Sequence, residues 1–269
     1  MEDRFYKLFG TNKPIIAMVH LGALPGSHLY NKESGITGLI KEAKKDLEAL
    51  QTAKFDAIMF GNENDRPYQL TVDTASTAAA AYIIGELKKE IQIPFGVDML
   101  WDPIATIALG TATKANFVRE IFTGTYSSDM GIWAPDAGKA LRYRKNLGSE
   151  EMLLFFNISA EFAYSQDRRS LSDRARSVVF SSLPDAILVS GQITGEAASI
   201  NDLISVKKAL PNTPVLANTG VKHDTVTQVL TTADGCIVGS SLKEDGDTWK
   251  PVNPERAIEF MNIVNKFRT

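Results

Sequence analysis

Residues 214–239 read PVLANTGVKHDTVTQVLTTADGCIVG, and their reading decides the fold. An apolar run over 214–218 leads into Thr219-Gly220. Helical spacing follows over 224–230, and a second apolar run over 235–238 ends in Gly239-Ser240-Ser241. This is a strand, a Gly-bearing loop, a short helix, a strand and a Gly-Ser-Ser turn. In a (β/α)8 barrel, the loops after the seventh and eighth strands often hold a phosphate. Glycine lets backbone N–H groups approach an anion, and a helix N-terminus adds unpaired N–H groups and a favourable dipole. The stretch therefore reads as the phosphate grip of a barrel enzyme. Its competitor is an ordinary βαβ unit whose glycines only make turns, and the rest of the chain decides between them.

Eight apolar runs recur along the chain, over 14–20, 56–61, 94–99, 116–121, 152–158, 185–190, 214–218 and 235–239. Most are near-continuous in Val, Ile, Leu, Phe, Ala and Met, as strands buried on both faces of a parallel sheet must be. Amphipathic stretches separate them. Ile36, Leu39, Ile40, Ala43, Leu47 and Leu50 fall on one helical face, with the charges of 41–46 mostly elsewhere. Asp102-Pro103 and Asn253-Pro254 each place a capping residue before a proline at the first helical position. Further helices are expected from Pro135-Asp136 onward and over 71–89, 172–182 and 200–210.

Strand–helix alternation repeated eight times implies a parallel sheet. At 269 residues, the expectation is a single (β/α)8 TIM-barrel domain over residues 1–269. No GxGxxG follows the first strand and no Walker A pattern occurs, so dinucleotide binding and P-loop chemistry lack support. The loops 21–34 and 122–134 are long, and a lid is expected from them.

The net charge of −3 argues against a nucleic-acid surface or a polybasic membrane contact. No apolar run approaches the roughly 20 residues needed to cross a bilayer. Residues 1–10, MEDRFYKLFG, are too polar and short for a signal peptide. The lone cysteine, Cys236, lies in an apolar run and reads as core filling in a reducing compartment. A cytoplasmic protein is expected, and a homo-oligomer is the ordinary state for such barrels.

Polar residues gather at the carboxyl ends of the runs. They are His20, then Glu63, Asp98, Arg119-Glu120, Asn157 with Glu161 beyond, Ser190-Gly191, and Asn218. Strand ends converge in a barrel, and a charge at the end of a buried strand is expensive unless paired or used. His20, Glu63, Asp98, Arg119 and Asn157 are accordingly the candidate catalytic residues. The competing role for Arg119 is to neutralise a carboxylate in a structural network. Ser190, Gly191, Thr219, Gly220, Gly239, Ser240 and Lys243 are the candidate phosphate ligands. His223 follows the seventh run and either touches a phosphate or starts the next helix, with the helix start the favoured expectation. None of the eight runs contains lysine, so a Schiff-base mechanism has no amine in the barrel. No cofactor is expected. The carboxylates and one histidine would suit a hard divalent ion, yet their number is ordinary for a barrel site, and no metal site is assigned.

Several motifs resemble the BtpA/SgcQ family. They are MVHLGALPG over 18–26, ENDRP over 63–67, PFGVDML over 94–100, FVR over 117–119 with DMG over 129–131, VSGQITG over 189–195, and DGCIVGSSLK over 234–243. Together they span nearly the whole chain. The resemblance implies a TIM barrel of the phosphate-binding type, similar in fold to phosphoribosylanthranilate isomerase, and a small phosphorylated metabolite as partner. Some members are associated with photosystem I biogenesis, others with sugar-transport gene clusters. One segment departs from the pattern. After the fifth run the family has Asp-Val and then a Lys-His pair, whereas this chain has Asn157-Ile158-Ser159-Ala160-Glu161-Phe162. Glu161 thus reverses a charge beside the expected site.

Three functions stay open at this level. One is an isomerase or lyase acting on a phosphorylated sugar or nucleotide-like metabolite. The others are a non-catalytic assembly or regulatory protein on a barrel scaffold, and a metal-dependent hydrolase.

Overall fold

A computed structural model describes residues 2–269. Eight parallel strands close into a barrel: β1 (Ile15–His20), β2 (Ala57–Gly61), β3 (Phe95–Asp98), β4 (Phe117–Glu120), β5 (Leu153–Asn157), β6 (Ala186–Val189), β7 (Val215–Ala217) and β8 (Gly235–Val238). Neighbours in sequence are neighbours in the ring, and β8 closes it by pairing with β1, Ile16 opposite Ile237. The strands form where the sequence places them because each is buried on both faces. Inward residues such as Ile16, Met18, Met59, Phe155 and Leu216 fill the barrel. Their outward neighbours Ile15, Ala17, Ile58, Leu154 and Val215 pack beneath the helices.

The helices around the barrel are α2 (Gly35–Thr52), α3 (Thr74–Leu87), α4 (Pro103–Thr113), α5 (Ala137–Asn146), α6 (Leu171–Ser182), α7 (Ile200–Ala209), α8 (Val226–Thr232) and α9 (Pro254–Arg268), after an N-terminal α1 (Glu2–Phe9). The caps read from sequence operate. Asp102 accepts from the backbone N–H groups of Ile104 and Ala105, Asp136 from that of Lys139, and Asn253 from that of Arg256. Each satisfies helix N–H groups that have no partner within the helix.

Two features were not expected from the sequence. α1 plugs the amino-terminal mouth of the barrel. Phe5 and Phe9 enter the interior cluster, with ring centroids 5.6 Å from Phe155 and 5.8 Å from Phe117, respectively. The long loop after β4 carries secondary structure of its own. It folds as strands Tyr126–Ser128 and Gly131–Trp133, which join Ala163–Ser165 in an antiparallel sheet beside the barrel. This sheet backs Trp101, whose ring lies edge-on to Trp133 at 5.1 Å. The loop after β1 is tied to the segment after β2. Asp65 accepts from Leu24 N–H at 2.7 Å, and Asn64 donates to the Leu21 carbonyl at 2.7 Å. Among the described residues, no helix is long and apolar enough to cross a membrane.

Candidate functional site

The period-two alternation of the strands builds the site. Apolar residues fill the interior up to Met18, Phe117, Phe155, Leu188, Leu216 and Ile237. Two residues further along each strand, the next inward position is His20, Arg119, Asn157, Ser190, Asn218 or Gly239. The uppermost interior layer is therefore polar. Ser190 apart, it forms the floor of a cavity of about 620 Å³ at the carboxyl ends of the strands.

Arg119 is the hub of this layer. Its Nε donates to Asp98 Oδ2 at 2.8 Å, and Nη2 also reaches that oxygen. Nη1 donates to Asn218 Oδ1 at 3.1 Å. Asn218 and Asn157 each donate to Ser190 Oγ at 2.8 Å. Tips from β3 to β7 are thus held in one network. Burial opposes the charge of Arg119, but Asp98, Glu63 and Glu161 hold its pKa above the ordinary value. Burial pushes the Glu63, Asp98 and Glu161 carboxyls up, with Arg119 opposing in each case. Glu120 is pushed well up by burial and by the neighbouring Asp98.

His20 stands at the junction of two walls. Its Nε2 lies 3.7 Å from Glu63 Oε1, and a Cβ at Gly239 would come within 3.0 Å of the same nitrogen. Its Nδ1 faces the Thr248 carbonyl at 3.4 Å. A carbonyl only accepts, so this contact selects the tautomer with the proton on Nδ1 and a bare Nε2. Burial, helped by Lys243, pushes the imidazole pKa down to about 3, so the ring is neutral at physiological pH.

The opposite rim is aromatic. Trp101 and Phe162 both line the cavity, and both have left-handed backbones, at φ 73° and 52°. Bulky residues rarely adopt such angles, and they persist where the surroundings enforce them. Glu120 enforces Trp101 by accepting its backbone N–H at 2.9 Å, while also accepting from Ile121 N–H at 2.7 Å. Glu161 accepts from Thr194 Oγ1 at 2.7 Å.

The structure brings His20, Glu63, Asp98, Arg119, Asn157, Thr219, Gly220, Gly239 and Ser240 to one cavity wall. Three candidate phosphate ligands are not on it. The Ser190 hydroxyl is taken up beneath the floor by the two asparagines. Gly191 donates its N–H to Thr219 Oγ1 at 2.6 Å and packs so closely that a Cβ would lie 2.4 Å from the Glu196 carbonyl oxygen. Lys243 turns outward, is 1 % exposed, and pairs with Asp46 of α2 at 2.7 Å. A buried ammonium is tolerable only with such a partner, and Asp46 is the one supplied. His223 is on the wall, but its ring nitrogens contact Ser241 Oγ at 3.0 Å and the Arg256 carbonyl at 2.9 Å. Sequence reasoning missed Trp101 and Thr248. The only signal for Trp101 was an apolar pair, Leu100-Trp101, between a strand end and a helix cap; Thr248 gave none. Among the described residues no group of three or more His, Cys, Asp or Glu side chains is arranged to hold a metal ion.

Fold and cavity together define a TIM-barrel protein with its candidate site at the face where this fold carries its chemistry. The chain belongs to the BtpA family, whose sequence model matches residues 11–266. It is 43 % identical to the putative sgc region protein SgcQ of Escherichia coli K12 over 262 residues, covering 97 % of this chain and 98 % of that one. It is 29 % identical to the photosystem I biogenesis protein BtpA of Synechocystis, covering 96 % and 90 %. Among solved structures, N-(5'-phosphoribosyl)anthranilate isomerase from Pyrococcus furiosus superposes with a TM-score of 0.58 at 13 % identity, covering 94 % of this chain and 99 % of that one. That likeness concerns the fold alone.

Proposed function

We propose that the protein is an enzyme, an isomerase or lyase acting on a small phosphorylated sugar or nucleotide-like metabolite. The observation that carries this reading is the position of His20 Nε2. This bare, neutral nitrogen stands beside the Glu63 carboxyl on one side and Gly239 on the other. A proton acceptor, a proton donor and an anion cup would then meet within one small ligand's length. The phosphate rests at the tips of β7 and β8, against Thr219, Gly220, Gly239 and Ser240, with Lys222 and Arg256 on the same side of the cavity. His20 Nε2 takes a proton from the reacting carbon or hydroxyl. Glu63, whose carboxyl burial pushes toward the protonated form, returns one. Arg119, fixed by Asp98 and Asn218, opposes the negative charge that develops between these steps. The isomerase relative in fold supports a barrel of suitable shape and no particular substrate.

Thermal denaturation with a panel of sugar phosphates, nucleotides and inorganic phosphate tests the reading. A ligand at 100 times its Kd adds about 2.7 kcal/mol of stability. A panel in which nothing phosphorylated shifts the transition would defeat the proposal. The name of the Synechocystis relative suggests an assembly role as the second reading. Under it, His20→Ala leaves biological function intact in a folded protein.

A further inference from the structure

Three polar atoms of the cavity wall are buried without a hydrogen-bond partner, Glu63 Oε2, Asp98 Oδ1 and Trp101 Nε1. Their residues are only 5 %, 1 % and 4 % exposed. The carboxyl oxygens can accept and the indole N–H donates, so a ligand is asked to supply both kinds of group. The charges around them are unequal. Asp98 and Glu120 stand carboxyl to carboxyl, an arrangement that one shared proton satisfies. That pair then carries a single negative charge, and Arg119 balances it through its contacts to Asp98. Glu161 is left over. Glu63, the proton donor proposed above, has Arg119 3.7 Å away. Glu161 has the neutral Thr194 hydroxyl as its hydrogen-bond partner and feels Arg119 only from beyond ion-pair distance.

Buried carboxylates without a cation are costly. A ligand hydroxyl relieves one oxygen at most, whereas an ammonium brings three N–H donors and a compensating charge. We infer that the ligand carries an amino group that docks against Glu161, beside the Glu63 carboxyl, making it a phosphorylated amino sugar or amino polyol. A neighbouring hydroxyl oxygen accepts from Trp101 Nε1. This inference rests on the phosphate reading above and specifies the other end of the same ligand.

Titration calorimetry at pH 7 tests it with matched pairs: glucosamine 6-phosphate against glucose 6-phosphate, galactosamine 6-phosphate against galactose 6-phosphate, and inorganic phosphate alone. The expected result is at least one amino compound binding ten-fold or more tightly than its neutral partner, about 1.4 kcal/mol. Glu161→Gln should bring that pair within about threefold of each other. Glu161→Ala serves the same purpose if circular dichroism shows the first variant misfolded. The inference is overturned if neutral sugar phosphates or inorganic phosphate bind and the amino compounds bind no better, or if the preference survives the substitution. Failure of every phosphorylated compound to bind instead removes the proposed function, and this inference with it.

Discussion

His20 and Glu63 face each other across 3.7 Å at the tips of neighbouring strands, both almost wholly buried. The imidazole is neutral and the carboxyl is pushed toward its protonated form. The pair therefore approaches as a base and an acid rather than as an ion pair. Environments that drive two groups' pKa values in opposite directions are how one site supports both proton removal and proton return at neutral pH.

His20→Asn is expected to lower turnover by about 10²- to 10⁴-fold, the usual contribution of a positioned acid–base group. The same substitution separates stability by pH. The folded pKa is about 3 against 6.5 for the free side chain. The contribution of neutral His20 is thus fully present above pH 6.5 and is lost as pH falls toward 3, by up to about 1.4 kcal/mol per unit. The raised carboxyls act in the opposite sense, so wild type must be compared with the variant at each pH. Urea denaturation between pH 4.5 and 8 should show the steeper acid loss in wild type only.

Gly239→Ala and Gly220→Ala should fail in different ways. A Cβ at 239 would press on His20 Nε2 at 3.0 Å. The expected outcome is a near-normal melting temperature with turnover reduced by about 10²-fold, as a small misplacement of a reacting group can do. Gly220 has φ 64°, and its Cβ would lie 2.1 Å from the Ala197 backbone nitrogen. That substitution should cost stability directly, by more than about 1 kcal/mol. Equal losses of stability in the two variants would contradict this assignment.

Lys243→Met should unfold more easily, by about 3–5 kcal/mol, because Asp46 would remain buried without its cation. Asp46 also accepts from Val252 N–H at 2.8 Å and so ties α2 to the segment after β8. Replacing both partners by apolar residues should recover part of the loss, leaving the unpaired Val252 N–H as the remainder. Chemical denaturation of the single and double variants measures this. A stable Lys243→Met protein that no longer binds phosphate would instead return Lys243 to the site.

Phe5→Ala, at the opposite mouth of the barrel, should lower stability by about 3–5 kcal/mol, as loss of a fully buried aromatic ring does. Ligand affinity, measured well below the melting transition, should change little. The reason is that Phe5 packs on Phe155, one layer beneath the polar floor.

Much of the candidate site was legible because it obeys the strand period. Met18 faces the barrel interior, so His20 does as well; Phe117 and Arg119 follow the same rule, as do Phe155 and Asn157. Once the apolar runs were read as barrel strands, their terminal polar residues had to converge. Trp101 was not legible in this way. Its place depends on a left-handed backbone that Glu120 holds through a carboxylate contact from another strand. Nor was the role of α1. Its eight residues carry no strand or barrel-helix pattern, and only the meeting of Phe5 and Phe9 with a barrel mouth gives them a place.

By itself, the sequence determined the ring of strands and helices and the polar tips of the ring, because burial on both faces and two-residue alternation are local patterns. Tertiary structure decided which polar group does what. Lys243, a candidate phosphate ligand in the sequence, pairs instead with Asp46, 197 residues away in the chain, and the Thr248 carbonyl chose the tautomer of His20. The physical reason is common to both. A buried charge or ring nitrogen takes its state from the nearest partner in space, and no local pattern of residues encodes which partner that will be.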